Sequence, residues 1–135
     1  MPEWYILNYK SFRYGVLKHE LERKQVGYYD PYIWINKRGR RTFEPLFPSY
    51  MFLRFDINSE GWNHTRYIPG VKYLLPKNST PISVGDDLIE EIKNRVEMYN
   101  SGKQKIREHK EGEKVIIKIE PFDELDAICQ KLPAL

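Results

Sequence analysis

The stretch at residues 41–55, RTFEPLFPSYMFLRF, restricts the fold of this chain more than any other. Pro45 and Pro48 fix their own φ, and each pushes the residue before it toward extended backbone. Met51-Phe52-Leu53-Arg54-Phe55 follows, apolar at nearly every position. Such a run suits a central strand covered on both faces. A central strand seldom begins behind two prolines with an aromatic between them. Glu44-Pro45-Leu46-Phe47-Pro48 is therefore read as a stiff apolar surface feature that enters the strand through Ser49-Tyr50. Plain core is the competing reading for most of these residues.

The rest of the chain arranges itself around that strand. Trp4-Tyr5-Ile6-Leu7-Asn8-Tyr9 is bulky and rich in β-formers, so it reads as a strand. Ser11 is placed to cap a helix running from Phe12 to Gln25, with Tyr14, Leu17 and Leu21 on one face. Lys18, Arg23 and Lys24 lie off that stripe, and Gly27 fits the stop. Residues 28–35 read as a second strand interrupted near Pro31. The turn Asn36-Lys37-Arg38-Gly39-Arg40-Arg41 carries four cations and makes the tip of a long hairpin basic. Ser59 can cap a short helix with Trp62 and Arg66 one turn apart, ended by Pro69-Gly70. Residues 71–75 form a short strand closed by Pro76. Ser83, with Asp86 three residues on, reads as a capping box for a helix whose core stripe is Leu88, Ile92, Val96 and Tyr99. Ile89 is expected beside that stripe and exposed. Residues 101–105 are the best linker. The order strand, helix, strand, strand, helix, strand, helix predicts an α+β fold, an antiparallel sheet with helices against it. In the tail, residues 114–119 are strand-like, Pro121-Phe122 turns the chain, and residues 127–129 can return. Two such strands do not stand alone in water.

Size and charge narrow the function. A chain of 135 residues fits one domain and a small appendage. Cys129 has no second cysteine to pair with, which points to a reducing compartment. The start Met1-Pro2-Glu3 has no secretory pattern, and no apolar run approaches the roughly 20 residues of a membrane span. A soluble, cytoplasmic protein without membrane contact is expected. Net charge is only +3, yet residues 1–45 hold nine Lys or Arg against five acids, while residues 108–135 hold four Lys against seven. A basic front half suits a polyanion, and an acidic tail can shield it. Ordinary surface charge is the bland alternative.

Catalytic patterns find no support. His19, His64 and His109 form no His-x-x-x-His pair, and one cysteine gives no zinc set. There is no phosphate-binding glycine loop and no nucleophile elbow. Neither enzymatic activity nor a metal or cofactor is expected.

Several motifs stand together in one order: Trp4-Tyr5; Phe47-Pro48-Ser49-Tyr50; Trp62, Arg66, Pro69 and Val71; Pro81-Ile82-Ser83; and Gly112 to Ile117 before Pro121-Phe122. In this the chain resembles the NusG family of bacterial transcription elongation factors, over residues 3 to about 130. Glu44-Pro45-Leu46-Phe47-Pro48, Leu21-Glu22-Arg23, Lys10 and the Arg38 to Thr42 turn look closest to the specialised RfaH-like branch. The resemblance implies an NGN domain at 1–100, a linker at 101–109 and an incomplete KOW-like segment at 110–135. It implies docking on the clamp helices of the largest subunit of RNA polymerase through Phe47, Pro48, Tyr50, Phe52, Ile89 and Ile92. Trp62, His64 and Arg66 fall where the family reaches the opposite pincer. Bridging both would hold the clamp closed and suppress pausing or termination, in an operon-specific manner. Lys10, Arg13, Lys18, His19, Arg23, Lys24, Arg38 and Arg40 are the candidates for contact with non-template DNA, mostly through phosphates, with stacking on Tyr14 or Tyr9. Glu44 matches an acid that in RfaH-like proteins makes an interdomain ion pair, where the tail turns helical and covers the docking patch. Here Glu120 and Ala127 stand where KOW domains usually carry glycines, and the tail is too short for a closed barrel. Contacts to the ribosome or to Rho are therefore not carried over, and the patch is expected to be at least partly open. A monomer is expected. The alternatives are a nucleic-acid-binding module that acts without polymerase and a decayed paralogue without activity.

Overall fold

The computed structural model describes residues 1–101. The readings made for the tail, including the incomplete KOW-like segment at 110–135 and all but the first residue of the linker, lie outside the described residues. The described chain forms β1 (Glu3–Tyr9), a single 3-10 turn (Ser11–Arg13), α1 (Tyr14–Arg23), β2 (Gly27–Tyr29), β3 (Tyr32–Lys37), β4 (Arg40–Pro45), β5 (Tyr50–Phe55), α2 (Gly61–Thr65), β6 (Val71–Leu74) and α3 (Asp86–Asn100). Helices and antiparallel sheet are thus mixed, as the α+β reading expected. Two compact units divide these elements: Met1–Asp30 with Pro48–Ile89, and Pro31–Phe47 with residues from 90 onward.

The first unit is built on a four-stranded antiparallel sheet in the order β2-β5-β1-β6. β5 sits inside the sheet, as its apolar run requires. Its register against β1 pairs Tyr5 with Leu53, Ile6 with Phe52 and Leu7 with Met51. Because side chains alternate along a strand, Tyr5, Leu7 and Tyr9 share one face with Met51, Leu53 and Phe55. Leu17 and Leu21 of α1 join this cluster, and all of these side chains are buried. Burying each of the two leucines stabilises the unit by roughly 2 kcal/mol. Trp4, Ile6 and Phe52 on the opposite face are buried as well.

α1 differs from its expected outline at both ends. Ser11 lies in the 3-10 turn, and its hydroxyl bonds the hydroxyl of Ser49 instead of capping the helix. Gly27 opens β2, and the helix stops earlier, at Lys24. Val26 N–H bonds Leu21 O (2.9 Å) and Gln25 N–H bonds Glu22 O (3.1 Å). Those two bonds are a Schellman motif, and Gln25 takes the left-handed position (φ +57°) that glycine usually holds.

Residues 28–35 are two strands and not one. β2 pairs with β5, whereas β3 pairs with β4 in a separate two-stranded sheet belonging to the second unit. Pro31, with no N–H to give a ladder, sits at the break. The hairpin pairs as far as Lys37 with Arg40, so its turn is only Arg38-Gly39. Both turn residues have positive φ (+50° and +78°), the pattern of a type I′ turn that suits strand twist.

α3 begins at Asp86, three residues after the predicted cap. Val84 explains the delay: its N–H bonds Trp4 O at 2.8 Å in an isolated antiparallel bridge, which keeps residues 83–85 extended. The exposed position predicted for Ile89 is also corrected. Ile89, Ile92 and Val96 are buried and Leu88 is half-buried, so the buried stripe runs one residue away from the predicted start.

Candidate functional site

The segment entering β5 is held by Ser49. Its φ is +70°, and its carbonyl accepts both Tyr9 N–H (2.9 Å) and the Asn8 side-chain amide (3.3 Å). Those two hydrogen bonds engage the amide of the buried Asn8 and fix where Pro48 and Tyr50 emerge. Tyr50 and Phe52, two residues apart on β5, share the sheet face away from α1. Pro48 is exposed and Tyr50 half-buried. Phe47, Phe52, Ile89 and Ile92 are at most 1% exposed. Of the six residues expected to dock, Pro48 and Tyr50 are thus the accessible ones. Phe52 lies in the sheet beside Tyr29, ring centroids 6.2 Å apart. In the second unit, Leu46 N–H next to Phe47 bonds Pro31 O at 2.9 Å.

Six of the eight predicted basic residues fall on the 3-10 turn, on α1 and at their ends in the first unit. Lys10, Arg13, His19, Arg23 and Lys24 are exposed and Lys18 is half-buried. Helical spacing brings them to the solvent side because Leu17 and Leu21 claim the other. Arg23 is already engaged by Glu20 at 2.8 Å, and that hydrogen bond holds the Glu20 carboxyl below its usual range. Lys18 lies 5.9 Å from the Tyr14 ring centre, and the Tyr14 hydroxyl donates to Asp30. Tyr9 is buried in the core, so it offers no ring face for stacking.

Ser59 does not take the cap position read for it: the N-cap of α2 is Glu60, with no side-chain cap bond, and Ser59 orders the approach one residue earlier. Its hydroxyl donates to Asp56 O (2.6 Å) and accepts Gly61 N–H (3.2 Å). The Asp56 carboxyl is held low first by the Asn58 N–H and then by the amino terminus. Trp62 does not project: it stacks on Phe55 at 5.7 Å as part of the core margin. His64 and Arg66 are exposed. Lys24 Nζ donates to His64 O (3.4 Å), and an open cleft of about 330 Å³ is lined by Arg23, Lys24, Val26, Gly61, His64 and Thr65. The end of α1 and α2 thus form one basic margin. Gly70 completes it: its carbonyl accepts Lys10 N–H (2.8 Å), and a Cβ there would stand 2.6 Å from Arg13 Cβ.

Arg38 and Arg40 belong to the second unit, exposed in the hairpin turn and at the start of β4. Glu44 accepts Lys37 Nζ at 2.9 Å and the Thr42 hydroxyl at 3.4 Å. Within the described residues its ion pair is therefore local, across the hairpin.

Sequence reading missed four exposed aromatics. Phe12 and Tyr67 are each 78% exposed, and Trp34 and Phe43 stand out of the hairpin. Three of the four have an arginine beside them. Arg13 lies over Phe12 (5.3 Å), Arg66 over Tyr67 (5.4 Å) and Arg41 over Trp34 (4.9 Å). The doublets Phe12-Arg13 and Arg66-Tyr67 were the available signal.

No helix among the described residues is long and apolar enough to cross a membrane. A family model described as "NusG: Transcription termination factor nusG" matches residues 2–93. The "Transcription termination/antitermination protein NusG" of Rickettsia felis is 22% identical over 145 residues, covering 98% of this chain and 76% of that protein. Its counterpart in Rickettsia prowazekii is 22% identical over 136 residues, covering 91% of this chain and 71% of that protein. A solved structure described as "Domain interaction in Thermotoga maritima NusG" matches with a TM-score of 0.51 and 25% identity, over 85% of this chain and 66% of that one. The family match takes in every described element from β1 into α3, and on that ground the chain belongs to the NusG family of transcription termination and antitermination factors.

Proposed function

We propose that this protein is an operon-specific elongation and antitermination factor that docks on the clamp helices of the largest subunit of RNA polymerase. The observation that carries this reading is the family match over residues 2–93. The segment at 61–66 would reach the opposite pincer through His64 and Arg66. The basic margin of the first unit would lie along the non-template DNA strand. Holding both pincers stabilises the closed clamp by differential binding, and no catalytic group is needed. The protein would act as a monomer in the cytoplasm.

Docking begins at Pro48 and Tyr50, which are accessible. Full engagement would need the buried Phe47, Phe52, Ile89 and Ile92 to come to the surface. The choice of test follows from burial. Truncating buried Phe47 costs about 3–5 kcal/mol of fold stability, which would mix unfolding with lost docking. Pro48→Ala with Tyr50→Ala probes the accessible part alone. The expected result is at least a tenfold loss of affinity for core RNA polymerase, with pausing on leader templates returned to the factor-free level. Unchanged binding would remove the docking reading. A polymerase-independent nucleic-acid module is the second reading, favoured by the cations of the hairpin turn. Arg40→Ala would then abolish activity and the Pro48, Tyr50 variant would not.

A further inference from the structure

The two outer edges of the β3–β4 hairpin are in different states. In an antiparallel pair, opposed residues alternate between those that bond each other and those whose N–H and C=O point outward. Asn100 of α3 donates its amide to Tyr32 O (2.9 Å) and accepts Trp34 N–H (3.2 Å). The backbone groups of Tyr32 and Trp34 therefore point outward from β3, and Asn100 takes the place of a further strand there. The register opposes Trp34 to Phe43 and Asn36 to Arg41. The backbone groups of Phe43 and Arg41 must then point outward from β4. No hydrogen bond among the described residues reaches them. One edge of the hairpin is thus closed and the other open.

An open edge is a template for another extended chain. Its donors and acceptors alternate at the spacing of a peptide backbone, which the phosphates of a nucleic acid do not reproduce. Charge restricts the chain that can pair there. Arg40 and Arg41 are exposed, and neither forms an ion pair with another described residue. The one acid of the hairpin, Glu44, is held by Lys37 at 2.9 Å. A second copy adding through its own β4 would bring like charges together, and Pro45 has no N–H to lengthen the ladder. The edge is guarded against itself and open to an acidic strand.

Side chains set the register of such a strand. Alternation puts Phe43 and Arg41 on one face with Trp34, and Arg40, Thr42 and Glu44 on the other. Phe43 is 50% exposed, its ring is 4.7 Å from that of Trp34, and the Arg41 guanidinium lies 4.9 Å from the Trp34 ring. We propose that the outer edge of β4 is a docking site for an extended acidic segment of a partner protein, added as a third strand. Antiparallel addition is the more stable direction. An aromatic or β-branched side chain opposite Phe43 continues the row of rings. Acids two and three residues further along the added strand then stand opposite Arg41 and Arg40. The site uses the second unit alone and does not depend on the clamp-docking reading.

The test is hydrogen exchange read amide by amide on the full chain, with the capped peptide Thr-Lys-Tyr-Thr-Glu-Glu as the probe. Its Tyr is set opposite Phe43 and its Lys opposite Glu44. Saturating peptide should slow exchange at the Arg41 and Phe43 N–H groups roughly tenfold or more. Trp34 N–H, already bonded to Asn100, should not change. Methylating the Tyr amide nitrogen, which faces β4, should abolish binding. Methylating the nitrogen of the next Thr, which faces away, should not. Phe43→Ala should weaken binding about fivefold, and Arg40→Ala with Arg41→Ala roughly tenfold at low salt. Unchanged protection of Trp34 N–H in these variants shows that the hairpin is intact. The proposal is overturned if saturating peptide leaves both amides exchanging as before, if the two methylated peptides bind alike, or if oligo(dT) slows the same amides. It is also overturned if both amides are already slow in the free chain. A dimer on sedimentation would then mean that a second copy holds the edge, and a monomer that the chain itself does.

Discussion

At the scale of single residues, backbone sign decides more than side-chain chemistry. Gln25 carries the left-handed turn that ends α1, where glycine would meet no steric penalty. Gln25→Gly should raise stability by about 0.5–1 kcal/mol, seen as a rise in Tm of a few degrees. Gly70→Ala should act the other way. Its φ is +98° and the new methyl would meet Arg13, so a loss of about 2 kcal/mol or more is expected. Because the clash displaces Arg13, DNA affinity should fall as well, which chemical denaturation and anisotropy on one sample can read together. None of this was legible beforehand. Glycine is the usual sign of positive φ, and here Gln25, Arg38 and Ser49 adopt it without that sign. Leu17 and Leu21 were legible because their spacing leaves a helix one way to turn.

Elements were legible in kind and less so at their ends. The core stripe of α3 was started at Leu88 when Ile89 carries it, since a helical pattern with adjacent apolar residues admits two phases about 100° apart. Ser83 looked like a cap because its spacing to Asp86 fits, but Val84 is taken by Trp4, and spacing within a segment does not report a distant strand. The hairpin supplies the prediction at this scale. Asn100 closes two backbone bonds on β3 from the last residue of a helix. Asn100→Ala should release them at about 1 kcal/mol each. Hydrogen exchange should then quicken at Trp34 N–H, while amides of β1 and β5 keep their protection.

Over the whole molecule, the α+β fold could be read from the order of strands and helices, and the family from motifs that survive in sequence. The burial of the residues proposed to dock could not. Phe47, Phe52, Ile89 and Ile92 are large and apolar, and composition treats a buried ring and a waiting contact alike. Positive charge is read directly from the chain, and among the described residues the candidate basic residues fall on the first unit and on the hairpin. Removing Lys10, Arg13 and Lys18 together should lower the salt slope of single-stranded DNA binding by about 2. One consequence follows for the descent of such chains. The strand path leaves the four-stranded sheet after Tyr29 and re-enters at Tyr50, and the six partner pairs of β1 with β5 involve no residue in between. The hairpin is in this sense an interchangeable fitting: a lineage can rewrite residues 31–47 while the register of the sheet it inherited stays as it was.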